Sequence, residues 1–146
     1  MRYVKQLIIL LILVFVVISG CIKPSPFSPK VEFYLDKYSI SINDNTISSE
    51  FVTARIKRLD NENISTTFVL KFIQPSNVYV VDVDGNKISE LSTKSLKGSE
   101  AEDVLQFKVF GKKGEAKEAK YEIRIELWWN NTKLQGMERS LEVIVK

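Results

Sequence analysis

An all-β fold, two antiparallel sheets packed face to face as a sandwich, is predicted by three observations. From residue 31 onward, apolar residues recur at every second position, the period of strands with one buried face. Turn-forming clusters such as Asp60-Asn-Glu-Asn63 and Asp84-Gly-Asn86 break that pattern into short segments at the spacing of a sandwich. Only Lys112–Lys120 has helix-forming composition, and with Gly114 inside it is too short to stand as a helix, so it is expected to be a solvated charged loop. Charged residues make up 27% and hydrophobic ones 45% of the 146, which suits one domain with one core.

The first segment is a leader. Residues 1–6 carry Arg2 and Lys5, and an uncharged, mostly aliphatic run follows from Leu7 to Gly20, the n-region and h-region of a signal segment. As a helix this run spans about 21 Å, at roughly 1.5 Å per residue, against about 30 Å of hydrocarbon, which is short for a permanent span. It ends in Ile18-Ser19-Gly20-Cys21, with two small residues before the only cysteine. That arrangement resembles the lipobox of prokaryotic lipoproteins. The resemblance implies cleavage before Cys21 and a diacylglyceryl thioether on its sulfur. A peptidase at the membrane surface needs small side chains beside the cut, and a thiol is the soft nucleophile the lipid transfer requires. Two acyl chains, at about 0.8 kcal/mol per buried CH2, make such anchoring stable. The alternative is an uncleaved anchor helix from about Tyr3 to Ile22. Both readings place the remainder outside the cytoplasm on the cell membrane, with Arg2 and Lys5 orienting insertion.

Residues 21–30 hold Pro24, Pro26 and Pro29 and are expected to form an extended Pro-rich tether. Residues 31–146 are the expected sandwich domain. Its strands are read at Val31–Leu35, Tyr38–Ile42, Glu50–Leu59 (Val52, Ala54 and Ile56 on one face), Thr66–Ile73 (Phe68, Leu70, Phe72), Asn77–Val83 and Lys87–Leu91. Three more follow, in which Leu105, Phe107 and Val109 share a phase, Tyr121, Ile123, Ile125, Leu127 and Trp129 another, and Leu141, Val143 and Val145 the last. A turn is expected over Asn130–Gly136.

The segment Ala54-Arg-Ile-Lys-Arg-Leu-Asp-Asn61 followed by Thr67-Phe-Val-Leu-Lys-Phe72 is similar to the B–C hairpin of immunoglobulin-like domains on archaeal and bacterial surfaces, such as the CARDB-like group. Asp84-Gly85, Leu96-Lys-Gly98 and Phe107-Lys-Val109 look like later landmarks of the same domains. The resemblance covers roughly residues 50–110 and implies an immunoglobulin-like sandwich, carrying no site with it.

Chemistry is constrained chiefly by what the chain lacks. With no histidine and one cysteine, a Cys/His zinc cage, a His-dependent triad and an intrachain disulfide are all excluded. Both basic residues of the leader precede Cys21 and all 18 acidic ones follow it, so the domain is close to neutral and no nucleic-acid partner is expected. Asp82-Val-Asp84-Gly85-Asn86 places oxygen side chains at alternate positions. An EF-hand register from Asp82 would need Gly and Glu where Lys87 and Thr93 stand, so a hairpin turn with positive φ at Asp84-Gly85 is the better reading. Glu100, Glu102 and Asp103 could in principle do acid–base work, yet nothing marks a complementary nucleophile. Asn63-Ile-Ser65 and Asn130-Asn-Thr132 are permitted glycosylation acceptors. Trp128 falls on the charged face of its strand and is a candidate partner contact. The competing reading has both indoles packed under the following turn.

The expectation is a non-enzymatic, membrane-anchored extracytoplasmic protein, a structural or binding module of the cell envelope with a protein or glycan partner and no cofactor. Two other readings stand beside it: an accessory subunit that pairs by a strand edge with a pilus, transporter or secreted enzyme, and, more remotely, a carboxylate-based hydrolase.

Overall fold

A computed structural model describes residues 27–146; the leader, the candidate anchor helix and Cys21 lie outside the described residues. Those residues form eleven strands and no helix long and apolar enough to cross a membrane. In chain order they are β1 (Val31–Leu35), β2 (Ser39–Ile42), β3 (Thr46–Ile47), β4 (Val52–Arg58), β5 (Phe68–Ile73), β6 (Val78–Val81), β7 (Lys87–Ile88), β8 (Glu90–Ser92), β9 (Glu102–Gly111), β10 (Ala119–Trp129) and β11 (Thr132–Val145).

One sheet has the order β1-β4-β9-β6-β7, with β3 also on β9, and the other β2-β11-β10-β5-β8. Their inner faces carry the alternating residues the sequence marks: Val52, Ala54 and Ile56 against Phe68 and Leu70, with Phe107, Val109, Ile123, Ile125, Leu127, Leu141 and Val143 fully enclosed. Phe72 and Phe107 meet across the interior with ring centroids 4.9 Å apart. The N-terminal strand region is divided between the sheets. β1 runs antiparallel to β4, the chain crosses at Asp36-Lys37, and β2 joins β11 in parallel, from Ser39 beside Glu142 to Ile42 beside Val145. This one parallel pairing departs from the all-antiparallel expectation. The crossing is held by Asp36, whose backbone N–H donates to the Thr53 carbonyl (2.9 Å) and whose carboxylate accepts from the Thr53 N–H (2.7 Å).

Three sequence expectations need correction. The segment Lys87–Leu91 is not one strand: β7 pairs with β6 in one sheet and β8 with β5 in the other, the chain switching sheets at Ser89. The turn expected over Asn130–Gly136 is only Asn130-Asn131, both at positive φ, a tight two-residue hairpin between Trp129 and Thr132. Beyond it β11 continues through a wide bulge. Glu126 pairs with Glu138 but Trp128 pairs with Lys133, so Leu127 faces the four residues Leu134–Met137 and the period-two pattern is lost there. Lastly, Gly85 alone has positive φ in the Asp82–Asn86 turn; Asp84 does not.

Gly111, at the end of β9, lies close against side chains of the facing sheet. A Cβ there would lie 2.5 Å from Ile42 Cδ1 and 2.7 Å from Val145 Cγ2, so only glycine leaves room for those two core side chains.

Candidate functional site

Sequence reasoning missed the residue around which one end of the sandwich is built. Arg58 continues the inward phase of Val52, Ala54 and Ile56, and its side chain has 0% exposure. A buried guanidinium is tolerable only when its donors are paired. It pairs with Asp60, and it donates to the backbone carbonyls of Glu62 (3.2 Å), Ile64 and Leu96 (3.1 Å). The loop from Leu59 to Ser65 is thereby folded around one side chain. Hydrogen bonding from the Arg58 guanidinium, with the backbone N–H groups of Lys30 and Glu62 adding to it, holds the Asp60 carboxyl below its ordinary pKa. The signal available in the sequence was an arginine in phase with three core residues.

The same end receives the N-terminal segment. The sequence reading placed residues 21–30 in a spacer; the last four, Phe27–Lys30, are held on the domain. Pro29 is buried, the Lys30 N–H donates to Asp60 Oδ2 (2.9 Å), and the Lys30 carbonyl accepts from Leu59 (2.9 Å). The Phe27 ring stands edge-on to Trp129 at 5.7 Å, with the Arg58 guanidinium 5.8 Å from its centroid. Beside them, the bulge of β11 leaves an open groove of about 540 Å3 whose apolar wall is Phe27, Pro29, Val31, Trp129, Leu134 and Met137.

Trp128 keeps its strand's phase on the outer face, opposite to Trp129, so the two indoles do not share the space under the turn. It is half-buried: Nε1 donates to Glu126 Oε2 (3.0 Å), and Lys71 Nζ lies 3.9 Å from the ring centroid. Glu126 also accepts from Lys133 (2.9 Å), chiefly for which its carboxyl lies below the ordinary value, and Lys133 bridges on to Glu138. This outer face is a ladder of paired charges over three strands, with Trp128 as one rung.

The remaining candidates are placed individually. Asp82 is a turn staple: its carboxylate accepts the backbone N–H of Asp84 (2.9 Å) and Asn86 (2.8 Å) and the Asn86 side-chain amide (3.2 Å), and the Asn86 backbone bond leads the causes that lower its pKa. Glu100 pairs with Lys57 (2.5 Å) and Glu102 with Arg55 (2.9 Å), while Asp103 accepts from the Lys94 N–H (2.7 Å); the three acids are thus each tied to a different partner. Among the described residues no three His, Cys, Asp or Glu side chains are grouped as metal ligands. Asn63 is exposed in the loop wrapped on Arg58, and Asn130 is exposed in the hairpin bordering the groove, so both sequons lie at the end where the N-terminal segment docks.

No family model matches the chain, and no curated protein matches it. Solved structures do. The crystal structure of the CARDB domain of the PF1109 protein from Pyrococcus furiosus, in complex with di-metal ions, superposes with a TM-score of 0.51 at 19% identity, covering 83% of this chain and 97% of that one. The solution structure of the same domain gives 0.49 at 21% identity, over 80% and 94%. The E. coli chaperone DraB gives 0.46 at 12% identity, over 79% of this chain and 55% of the chaperone. Together with two sheets in the order β1-β4-β9-β6-β7 and β2-β11-β10-β5-β8, the first of these fits fixes the architecture: the chain carries an immunoglobulin-like β-sandwich of the CARDB kind.

Proposed function

We propose that this protein is a non-enzymatic module of the cell envelope, held on the outer side of the membrane by its N-terminus and acting as a structural or binding domain. One observation carries the reading. The stretch that leads back to the leader is fastened to a single end of the sandwich, by Phe27 on Trp129 and by the Lys30 N–H on Asp60. An anchor at Cys21 would therefore hold a rigid domain by that end and leave the opposite end and both outer faces free for a partner. The signal-type leader and the Ser-Gly-Cys sequence before the tether support a lipid anchor. The test is metabolic labelling with radioactive lipid in cells expressing the full chain. Label is expected on the wild-type protein and absent from Cys21→Ser; label that persists in the variant overturns the lipid anchor.

The accessory-subunit reading has one observation in its favour. In β2 the carbonyls of Tyr38 and Ile42 accept from β11, so the backbone groups of Ser39 and Ser41 are turned to the open edge, beside a groove of about 230 Å3 lined by Lys37, Ser48 and Glu50. An extended segment of another protein could add there. Recovery of one stoichiometric partner from solubilised membranes, lost when Ser41 is replaced by proline, supports this reading over a solitary structural role.

A further inference from the structure

We infer that the end of the sandwich bearing Phe27, Leu59, Ile64 and Trp129 is a bilayer-docking surface, which seats the domain on the lipid interface instead of leaving it free on its tether. The inference rests on the membrane-tether reading above and adds the residues that touch lipid.

Two independent features coincide at this end. The first is apolar exposure without a partner in the fold. Leu59 is 51% and Ile64 45% exposed, and both belong to the loop organised by Arg58. The same end holds the groove whose apolar wall includes Phe27, Trp129 and Met137, and the Leu59 N–H ties the loop to the segment that lines it through the Lys30 carbonyl. Leu59 is placed beside the N-terminal segment by its backbone hydrogen bond to Lys30, and Phe27 stands edge-on to Trp129 with the Arg58 guanidinium 5.8 Å from its centroid, so these residues belong to the same end of the sandwich. Two exposed aliphatic side chains beside the half-buried rings of Phe27 and Trp129 give this end the character of an interaction site, whereas Tyr34, Tyr38, Ile47, Ile73, Val83 and Val104 are the exposed large hydrophobics elsewhere.

The second feature decides the occupant. Phe27 is only six residues after Cys21. Fully extended, six residues reach about 20 Å, at roughly 3.3–3.6 Å each. Phe27 itself forms part of the patch, so an anchored chain keeps the patch within that distance of the bilayer surface and aims it there. Local concentration alone then favours contact with lipid over any soluble partner. Trp at the rim of an apolar patch suits the headgroup boundary, where an amphipathic ring is half wet. The exposed charges on the segments that meet here include Lys30, Glu62, Lys97, Glu100 and Lys133, with Glu100 paired with Lys57 and Lys133 with Glu126 and Glu138. With both signs present, the contact is apolar in character, and salt should change it little.

Trp128 and Trp129 are the only two tryptophans, and they sit on opposite faces of one strand, which makes fluorescence a direct test. The full-length lipidated protein is reconstituted in phosphatidylcholine vesicles with chains brominated near the headgroup. Trp128→Phe reports on Trp129 alone, and Trp129→Phe on Trp128 alone. The expected result is quenching of Trp129 at least twofold stronger than that of Trp128, little changed by 0.5 M salt. The double variant Leu59→Asp/Ile64→Asp, altered only at exposed positions, should bring Trp129 down to the level of Trp128. Protein that floats with the vesicles but shows equal quenching of the two indoles overturns the docking surface and leaves the anchor intact. Protein that fails to float overturns both. Shielding of Trp129 that depends on protein concentration and persists in unbrominated detergent identifies a second copy as the occupant, and likewise overturns the proposal.

Discussion

Arg58 and Asp60 face one another at the end of β4 as a buried ion pair, with Arg58 Nε also 3.3 Å from Asp60 Oδ2. The pair joins three parts of the chain that are remote in sequence. Arg58 holds the carbonyl of Leu96, which itself exchanges backbone hydrogen bonds with Thr66, and Asp60 holds the N–H of Lys30.

Arg58→Ala should therefore cost about 3–5 kcal/mol, since it leaves the Asp60 carboxylate without its cationic partner and takes a donor from the carbonyls of Glu62, Ile64 and Leu96 in a largely enclosed site. Asp60→Asn should cost less, about 1–3 kcal/mol, because the amide oxygen keeps one of the two backbone donors, Lys30 N–H on Oδ2 or Glu62 N–H on Oδ1, and can still accept from Arg58. Urea unfolding of the wild type and both variants measures this order.

Acid should act through the same carboxyl. Asp60 titrates below its ordinary value because hydrogen bonding from Arg58 favours the charged form. Its contribution to stability is thus complete above the unfolded-state value, near pH 4, and is lost as the pH falls through the lower folded value. Glu126 and Asp82 are shifted in the same direction and add to the loss. Thermal midpoints should fall steeply below about pH 4, and the fall should be shallower in Asp60→Asn, whose amide does not titrate.

Gly111→Ala should destabilise the domain by about 1–3 kcal/mol, as Ile42 and Val145 must leave their places to admit one methyl group. Ile42→Val in the Gly111→Ala background removes the atom nearest the new methyl. It should recover part of the loss, so a double-mutant cycle in denaturant identifies the clash as the cause.

Asn131→Gly should stabilise the hairpin by about 0.5–1 kcal/mol and raise the melting temperature by a few degrees, because the second turn residue sits at φ 58. The substitution keeps Asn130-x-Thr132 intact, so calorimetry reads the turn without removing the sequon.

Tyr121 stands near the start of β10, its hydroxyl donating to the Lys112 carbonyl (2.9 Å) and accepting from Asn77 (3.2 Å), much as the corner tyrosine of immunoglobulin folds ties back to upstream backbone. Tyr121→Phe should cost about 1 kcal/mol, measured by the same unfolding experiment, with unchanged dependence on denaturant.

The strands legible in the sequence are those whose inward residues repeat without interruption: Val52, Ala54 and Ile56, or Ile123, Ile125 and Leu127. Legibility fails where a strand changes its obligations midway. Lys87–Leu91 carries apolar residues suited to either sheet, and nothing local announces that Ser89 is the crossing. Leu134–Met137 loses its period because a bulge puts extra residues opposite Leu127. The parallel pairing of β2 depends on contacts a hundred residues apart, which no local pattern encodes. At the candidate sites, turn chemistry was readable at Asp82, whose short side chain caps its own turn. The Arg58 hub was not, because a charged residue in a core phase declares itself only when its acceptors, spread from Asp60 to Leu96, converge. The role of Phe27 was hidden by the prolines around it, which mark an extended chain and say nothing of what it rests on.

The parallel union of β2 with β11 has a mechanical meaning. A pull between the two ends of the described chain draws these neighbouring strands past each other along their length. The bonds from Glu142 to Tyr38 and from Lys146 to Ile42 are then strained together and must rupture together. Strands peeled from one end give way bond by bond at low force, whereas this seam resists in shear. The domain should hold its shape at tensions that would open a simple hairpin.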